Sequence, residues 1–492
     1  MRKLLLMGMT SVLMVAGARA GEDQSLLTIS PMFGDHAVLQ RDMPVPVWGW
    51  GAPGTVVTVA FAGQQKTATS GEDGKWLVKL DPLAANSTPQ EMLVSDSMGN
   101  QLALKDVLVG EVWICAGQSN MQYGWGSESL PMFNWGGETN LAVLVPDART
   151  RPIRSYHVSV DVSFAPKEKC KGKWSTDVSG SAVAFGFSYH LQKALDVPVA
   201  VIVSCWGSSS IEGWMPRELT GELPHFKAIM DAFDASSNTQ SRVQAAIDRG
   251  VQPGNVFIRK QPNIVYNAML HPVIPYASRG MVWYQGEANA ERPDQPGQYA
   301  RSLPAWIKRL RTQWGRDDFH FLGVMLPGYG NTIWPRFREV QLGVLQEPHT
   351  SVANTIDLGD EKNIHPADKA PIGERLALLA RRDVYGEKIE AQGPVFKRAT
   401  IEANRVVVEF DHAACLKTTD GAEPTGFQLA GNDRQWLPAA TIIKGNTVEL
   451  AAEGLAMPVF VRYAFTGKPA VNLVNEAGLP AYPFRTDDGE MK

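Results

Sequence analysis

The sequence predicts an α/β core between two β-rich flanks, and three observations carry that expectation. Between residues 107 and 390, short apolar runs rich in β-branched residues alternate with stretches of helical spacing, the pattern of a parallel sheet covered by helices. Each of those runs stops at a polar or glycine-rich cluster, and in open α/β sheets ligands lie beyond the carboxyl ends of the strands. On either side, residues 21–106 and 391–492 show period-two alternation broken by Gly, Pro, Asn and Asp turn signals, which reads as β-sandwich-like structure. A chain of 492 residues is also too long for one ordinary core.

The first twenty residues are read apart from the fold. Arg2 and Lys3 precede an apolar stretch, and Ala18-Arg-Ala20 has the form of a leader cleavage site. The sequence therefore predicts a signal peptide over residues 1–20, a mature start at Gly21, and a secreted or periplasmic protein. No later run is apolar enough to span a bilayer, so no membrane association is expected after the leader is removed. A net charge of −4, with no Lys/Arg block, argues against a nucleic-acid partner. Fourteen tryptophans are many, but most read as core residues. Cys115, Cys170, Cys205 and Cys415 form neither a disulfide framework nor a metal knuckle, and no bridge is assigned.

In chain order, strands are expected at 45–50, 55–61 and 76–80, separated by turns at 51–54, 71–74 and 97–99. The core opens with a buried strand at 112–116 and a long loop at 123–139, placed to take part in a substrate site. Strands at 153–160, 197–204, 280–284, 319–325 and 352–358 follow. Helices are expected at 182–195, 226–248, 264–273, 299–314, 335–346 and 368–381, the last capped by Asp368. After residue 395 the strands are 400–402, 405–410, 447–450 and 459–463, and the terminal stretch is loop. The two β segments read equally as separate domains or as partners of each other.

The chemistry is expected around Glu111-Val-Trp-Ile-Cys-Ala-Gly-Gln-Ser-Asn-Met121. Gly117 stops the apolar run and Ser119 follows, where a nucleophile would be needed, although a serine in an ordinary turn fits the same letters. Serine acyl transfer needs a base and donors for the oxyanion. Of nine histidines, only His365 lies in a loop directly after a core strand with carboxylates nearby. Asp360 is the favoured group to orient it, Asp357 the second, and a backbone carbonyl the third. The expected oxyanion donors are the Ser119 and Gly207 N–H groups and the Gln285 side-chain amide. Glu287 reads as a residue that orients its neighbours.

Four motifs then converge on a family resemblance: Gly117-Gln-Ser-Asn-Met121, Ile211-Glu-Gly-Trp-Met-Pro216, Trp283-Tyr-Gln-Gly-Glu287 and Ile364-His-Pro366. Together, in this order, they resemble the sialate O-acetylesterase family of SGNH-type carbohydrate esterases. Leu39-Gln40, Tyr266-Asn-Ala-Met269, Gly478-Leu-Pro480 and Pro483-Phe-Arg-Thr-Asp487 extend the likeness over nearly the whole mature chain. The resemblance implies a flavodoxin-like SGNH core, no metal or other cofactor, and removal of O-acetyl groups from a carbohydrate substrate. It puts Ser119 as nucleophile, His365 as base, and Ser119, Gly207 and Gln285 at the oxyanion. Asn120, Trp214 and Glu287, inside the same motifs, are the expected substrate contacts. The chain departs from the usual SGNH pattern at Lys362, where an aspartate is common. An α/β-hydrolase would need glycine at Met121. The other readings are a glycan-binding protein with an inactive esterase core and, more weakly, a lipase or thioesterase of the same fold.

Overall fold

In the computed structural model, which describes residues 26–124, 139–177 and 180–487, one long strand joins the N-terminal β segment to the core. This strand, β1 (Gln101–Gly117), starts antiparallel to Asn86–Asp96 and ends in the middle of a parallel sheet. Its sequence explains the change. Gln101 to Asp106 alternates in burial as a strand with one wet face must, whereas everything from Val107 onward is buried, as a strand covered on both faces requires. The strand passes through 106/107 without a break.

The parallel sheet contains β2 (Ile153–Val158), β3 (Val199–Cys205), β4 (Gly280–Tyr284), β5 (His320–Val324) and β6 (Thr350–Ala353) in the order β2-β3-β1-β4-β5-β6. From β1 the chain goes first to the outer strand β2, returns to β3 beside β1, and then crosses to the other side for β4. The order therefore reverses at β1, and the crevice that such a reversal leaves opens at the carboxyl ends of β1 and β4. The main helices are α1 (Ser119–Gln122), α2 (Ala182–Leu195), α3 (Gln295–Trp314), α4 (Trp334–Leu342) and α5 (Ala370–Asp383). Ser181 caps α2 by accepting the Ala184 N–H, and Asp368 accepts the N–H of Ala370 at the start of α5. The protein is thus mixed α/β with several sheets.

Where elements differ from expectation, local side chains are the cause. The helix expected over 226–248 is two, Pro224–Ala235 and Ser237–Arg249, because Ser236 leaves helical geometry and caps the second by accepting the Thr239 N–H. The strand expected over 352–358 stops at Ala353. Asn354 ends it by accepting the Ile356 N–H and donating to Pro480 O. The 264–273 stretch is a π-helical turn, Tyr266–Leu270, and a short turn containing Pro272. Gln64–Thr69, polar at every position but Ala68, pairs as an outer strand that periodicity does not reveal. The expected leader and most of the 123–139 loop lie outside the described residues.

The C-terminal segment forms two four-stranded antiparallel sheets and a two-stranded one, and among the described residues none of its strands pairs with the N-terminal sheets. It docks on the core instead, with Tyr482 Oη donating to Val352 O at 2.7 Å. At the other end, Glu111 of β1 is buried where the N-terminal segment meets the core. It accepts from Gln40 (2.9 Å), Arg41 (2.6 Å) and Arg279 (3.0 and 3.1 Å).

Candidate active site

Gly117 ends β1 with φ of 144°, and a Cβ there would lie 2.0 Å from Tyr284 O of β4. Only glycine lets the two central strands close up at this point. The chain then turns at Gln118 into α1, whose first residue is Ser119. Gln118 Oε1 accepts the Ala288 N–H, which pins the turn to the loop after β4. Asn120 and Met121 are buried, while Ser119 keeps partial access to solvent.

His365 comes from the loop between β6 and α5, and that loop is tied by consecutive Asx turns. Asp360 Oδ1 accepts the N–H groups of Lys362 (2.8 Å) and Asn363 (2.9 Å), and Asn363 Oδ1 accepts that of His365 (3.0 Å). The result places His365 Nε2 2.9 Å from Ser119 Oγ. On the other side of the ring, Nδ1 lies 3.2 Å from Tyr123 Oη, with the two rings edge to face. When Nε2 accepts the serine proton, Nδ1 carries the hydrogen and donates to the tyrosine oxygen. Burial, and then the nearby Lys369 ammonium, lower the imidazole from its ordinary 6.5 to about 4.

The carboxylates expected to orient this ring are engaged elsewhere. Asp360 serves its own loop, as above, and Asp357 forms a two-pronged pair with Arg375 at 2.7 Å on each arm. Asp360 therefore shapes the backbone that carries His365, while Tyr123 meets the imidazole.

The expected oxyanion donors divide. Gly207 stands beside Ser119, since a Cβ on it would be 3.3 Å from Ser119 Cβ. Its N–H donates to Gln122 Oε1 at 2.7 Å. Ser119 opens a helix that no side chain among the described residues caps. Gln285, by contrast, is wholly buried, with Nε2 within reach of Asn289 Oδ1 (2.8 Å), Gln118 Oε1 (3.2 Å) and Ser209 O (3.2 Å). It supports the Gln118 turn from below. Asn289 continues the web to Glu212, so two of the sequence motifs meet under Ser119.

The three expected substrate contacts are interior. Trp214 is wholly buried, its indole N–H on Ser209 Oγ and its ring edge-on to Trp283, and it offers no face to a sugar. Asn120 and Glu287 are buried against each other. Sequence reasoning missed Tyr123, Gln122 and Lys369. The first two had a usable signal: they lie three and four residues after Ser119, on the same face of one helical turn. Lys369 had none beyond its place four residues after His365. Among the described residues no group of three or more His, Cys, Asp or Glu side chains could hold a metal ion, and no helix is long and apolar enough to cross a membrane.

Comparison with known proteins gives a consistent set of likenesses. A family model described as carbohydrate esterase, sialic acid-specific acetylesterase, matches residues 255–381. The sialate O-acetylesterase of Mus musculus is 29% identical over 525 residues, covering 92% of this chain and 92% of that protein. That of Homo sapiens is 27% identical over 505 residues, covering 91% and 90%. The crystal structure of a carbohydrate acetylesterase from Xanthomonas citri superposes with a TM-score of 0.80 at 31% identity, over 94% of this chain and all of the other.

Proposed function

This chain belongs to the sialate O-acetylesterase family of carbohydrate esterases and is an ester hydrolase, and on that premise we propose that it removes O-acetyl groups from sugars through an acyl-enzyme on Ser119. The observation that carries the proposal is the 2.9 Å contact between Ser119 Oγ and a neutral, partly desolvated His365 at the switch point of a parallel sheet. The strand order β3-β1-β4-β5-β6 supports reading the core as a flavodoxin-like SGNH sheet, with β2 added at one edge.

Ser119 Oγ attacks the acetyl carbonyl as His365 Nε2 takes its proton. The imidazolium that forms keeps its Nδ1–H on Tyr123 Oη. Gly207 N–H, with Ser119 N–H, receives the developing oxyanion, and Gln122 Oε1 gives up its place on Gly207. The ester C–O bond breaks, the sugar alcohol leaves with the proton from His365, and water repeats the sequence to release acetate. Removing a single oxyanion donor costs on the order of a hundredfold in turnover. The leader-like first twenty residues support export, to a periplasm or to the medium. The compatible substrates are acetylated sialic acids, the substrate class in the mammalian relatives' name, and acetylated plant polysaccharide oligosaccharides.

The test is acetate release from a panel of both substrate classes, with Ser119→Ala as reference. Release by the wild type alone assigns the nucleophile, and the preferred sugar assigns the substrate. If the folded wild type binds glycans but releases no more acetate than the variant, the esterase reading falls to the binding-protein one.

A further inference from the structure

Three buried side chains surround the catalytic pair. Asn120 follows the nucleophile and is 0% exposed, Glu287 comes from the loop after β4 and is 4% exposed, and Lys369 precedes α5 and is 3% exposed. At those exposures none of them meets a sugar. Burying a carboxylate and an ammonium is costly unless each is compensated, and here one amide compensates both. Asn120 Nδ2 lies 2.5 Å from Glu287 Oε1, and Asn120 Oδ1 accepts from Lys369 Nζ at 2.9 Å.

The same polar atoms make two further bonds. Asn120 Nδ2 lies 3.2 Å from Ile364 O, and Lys369 Nζ donates to Pro366 O at 3.0 Å. Ile364 and Pro366 are the residues on either side of His365. We infer that Glu287, Asn120 and Lys369 form a buried relay that positions His365 by gripping the backbone on both sides of it and tying that grip to the helix turn that carries Ser119. The inference rests on the reading of Ser119 and His365 as nucleophile and base.

The geometry gives each member a distinct task. Asn120 is one residue from Ser119, so its bond to Ile364 O sets the height of the histidine loop relative to the nucleophile. Lys369, four residues after His365, closes the loop from the other side and returns to Asn120. Glu287 holds the Asn120 amide in the orientation that serves both carbonyls. Among the described residues its second oxygen is buried without a hydrogen-bond partner, so one accepting oxygen is all the relay asks of it. None of the three exchanges a proton with the substrate. They are positioning residues, and their loss loosens the 2.9 Å Ser–His contact, where a displacement near 1 Å costs on the order of a hundredfold.

The experiment uses the full chain and 4-nitrophenyl acetate, which carries the same acyl group but no sugar. Wild type, Ser119→Ala, Lys369→Met, Glu287→Leu and Glu287→Gln are compared in kcat and KM, with a melting curve for each. Lys369→Met and Glu287→Leu are expected to lose about tenfold to a hundredfold in kcat at nearly constant KM. Glu287→Gln, which keeps the accepting oxygen, recovers most of kcat. A folded Lys369→Met or Glu287→Leu variant with wild-type kcat overturns the relay, as does a loss confined to KM. Should both apolar variants fail to fold, Glu287→Gln still decides, because a folded Gln variant with kcat as low as about a hundredth of wild type overturns the single-acceptor role. A wild type no faster than Ser119→Ala overturns the nucleophile assignment and the relay with it, whereas a fast wild type with unaffected variants overturns the relay alone.

Discussion

The most direct consequence of the site's electrostatics is an acid limb displaced far below that of an ordinary imidazole. In the mechanism proposed above His365 acts as a base only when neutral, and burial followed by the Lys369 cation lowers it from 6.5 to about 4. The sign follows from the role: activity is present above the folded pKa and disappears as pH falls through it. At pH 5.5 an unperturbed imidazole would be about one-tenth neutral, whereas one at about 4 is nearly all neutral, so kcat/KM there should be about tenfold higher than an ordinary base allows. The assay is kcat/KM for an acetate ester from about pH 3.5 to about pH 8, with circular dichroism at each pH to separate protonation from unfolding. Lys369→Met removes the second cause but not the first, so its acid limb should move up and stop short of 6.5. An acid limb centred near 6.5 in the wild type, or a limb that stays put or falls in Lys369→Met, would refute the reasoning.

Three further outcomes concern the scaffold. Glu111→Ala strands the Arg41 and Arg279 guanidiniums at the junction of the N-terminal segment and the core. It should cost about 3–5 kcal/mol, read as a lower midpoint in urea; a variant within about 1 kcal/mol of wild type would show that solvent reaches the cluster. Gly117→Ala drives a Cβ to 2.0 Å from Tyr284 O at a backbone angle that disfavours side chains. It should misplace Ser119, and kcat should fall by about a hundredfold or more, whereas wild-type kinetics would mean that β1 and β4 part easily. His320, almost fully buried with Nε2 3.0 Å from Ser351 Oγ, is lowered to about 4, mainly by burial. Its folded pKa lies below the unfolded value, so the unfolded chain takes up the proton first as pH falls. Stability is therefore lost between about pH 6.5 and about pH 4, by about 3 kcal/mol. Unfolding free energies at both ends of that window should fall less in His320→Gln than in wild type, and equal slopes would exclude the residue.

What could be read from the letters was what strand ends determine. Ser119 and His365 were legible because both follow apolar runs that a parallel sheet buries on two faces, and the carboxyl ends of such strands meet at one crevice. Gly207 was legible for the same reason. Gln285 occupies the corresponding place after β4, but the direction of its amide is set by Gln118, Asn289 and Ser209, three partners that no spacing rule brings together. Trp214 lies in the interior, and an indole whose N–H has a buried acceptor is as much at home in a core as at a sugar. Tyr123 opens a loop in the sequence pattern, although a single turn of helix after Ser119 returns it to His365. Asp360 is near His365 in the chain, yet its carboxylate accepts backbone N–H groups of the same loop, which short acidic side chains do readily.

The Gln122 carboxamide shows how such a site can favour the transition state in the mechanism proposed above. In the free enzyme the Gly207 N–H donates to a neutral amide oxygen at 2.7 Å. A ground-state ester carbonyl that displaces Gln122 exchanges one neutral acceptor for another, which is nearly even in free energy. As the tetrahedral intermediate forms, the incoming oxygen becomes an anion and the same N–H makes a charge-assisted bond, about twice as strong. The exchange therefore gains little for the bound substrate and most for the transition state, which is the condition for raising turnover rather than affinity. Gln122 and Ser119 belong to the same four-residue turn, so the acceptor that fills the site at rest is positioned by the element that presents the nucleophile. A donor kept hydrogen-bonded between turnovers is also held in direction, and preorganised donors of this kind need little rearrangement when charge develops.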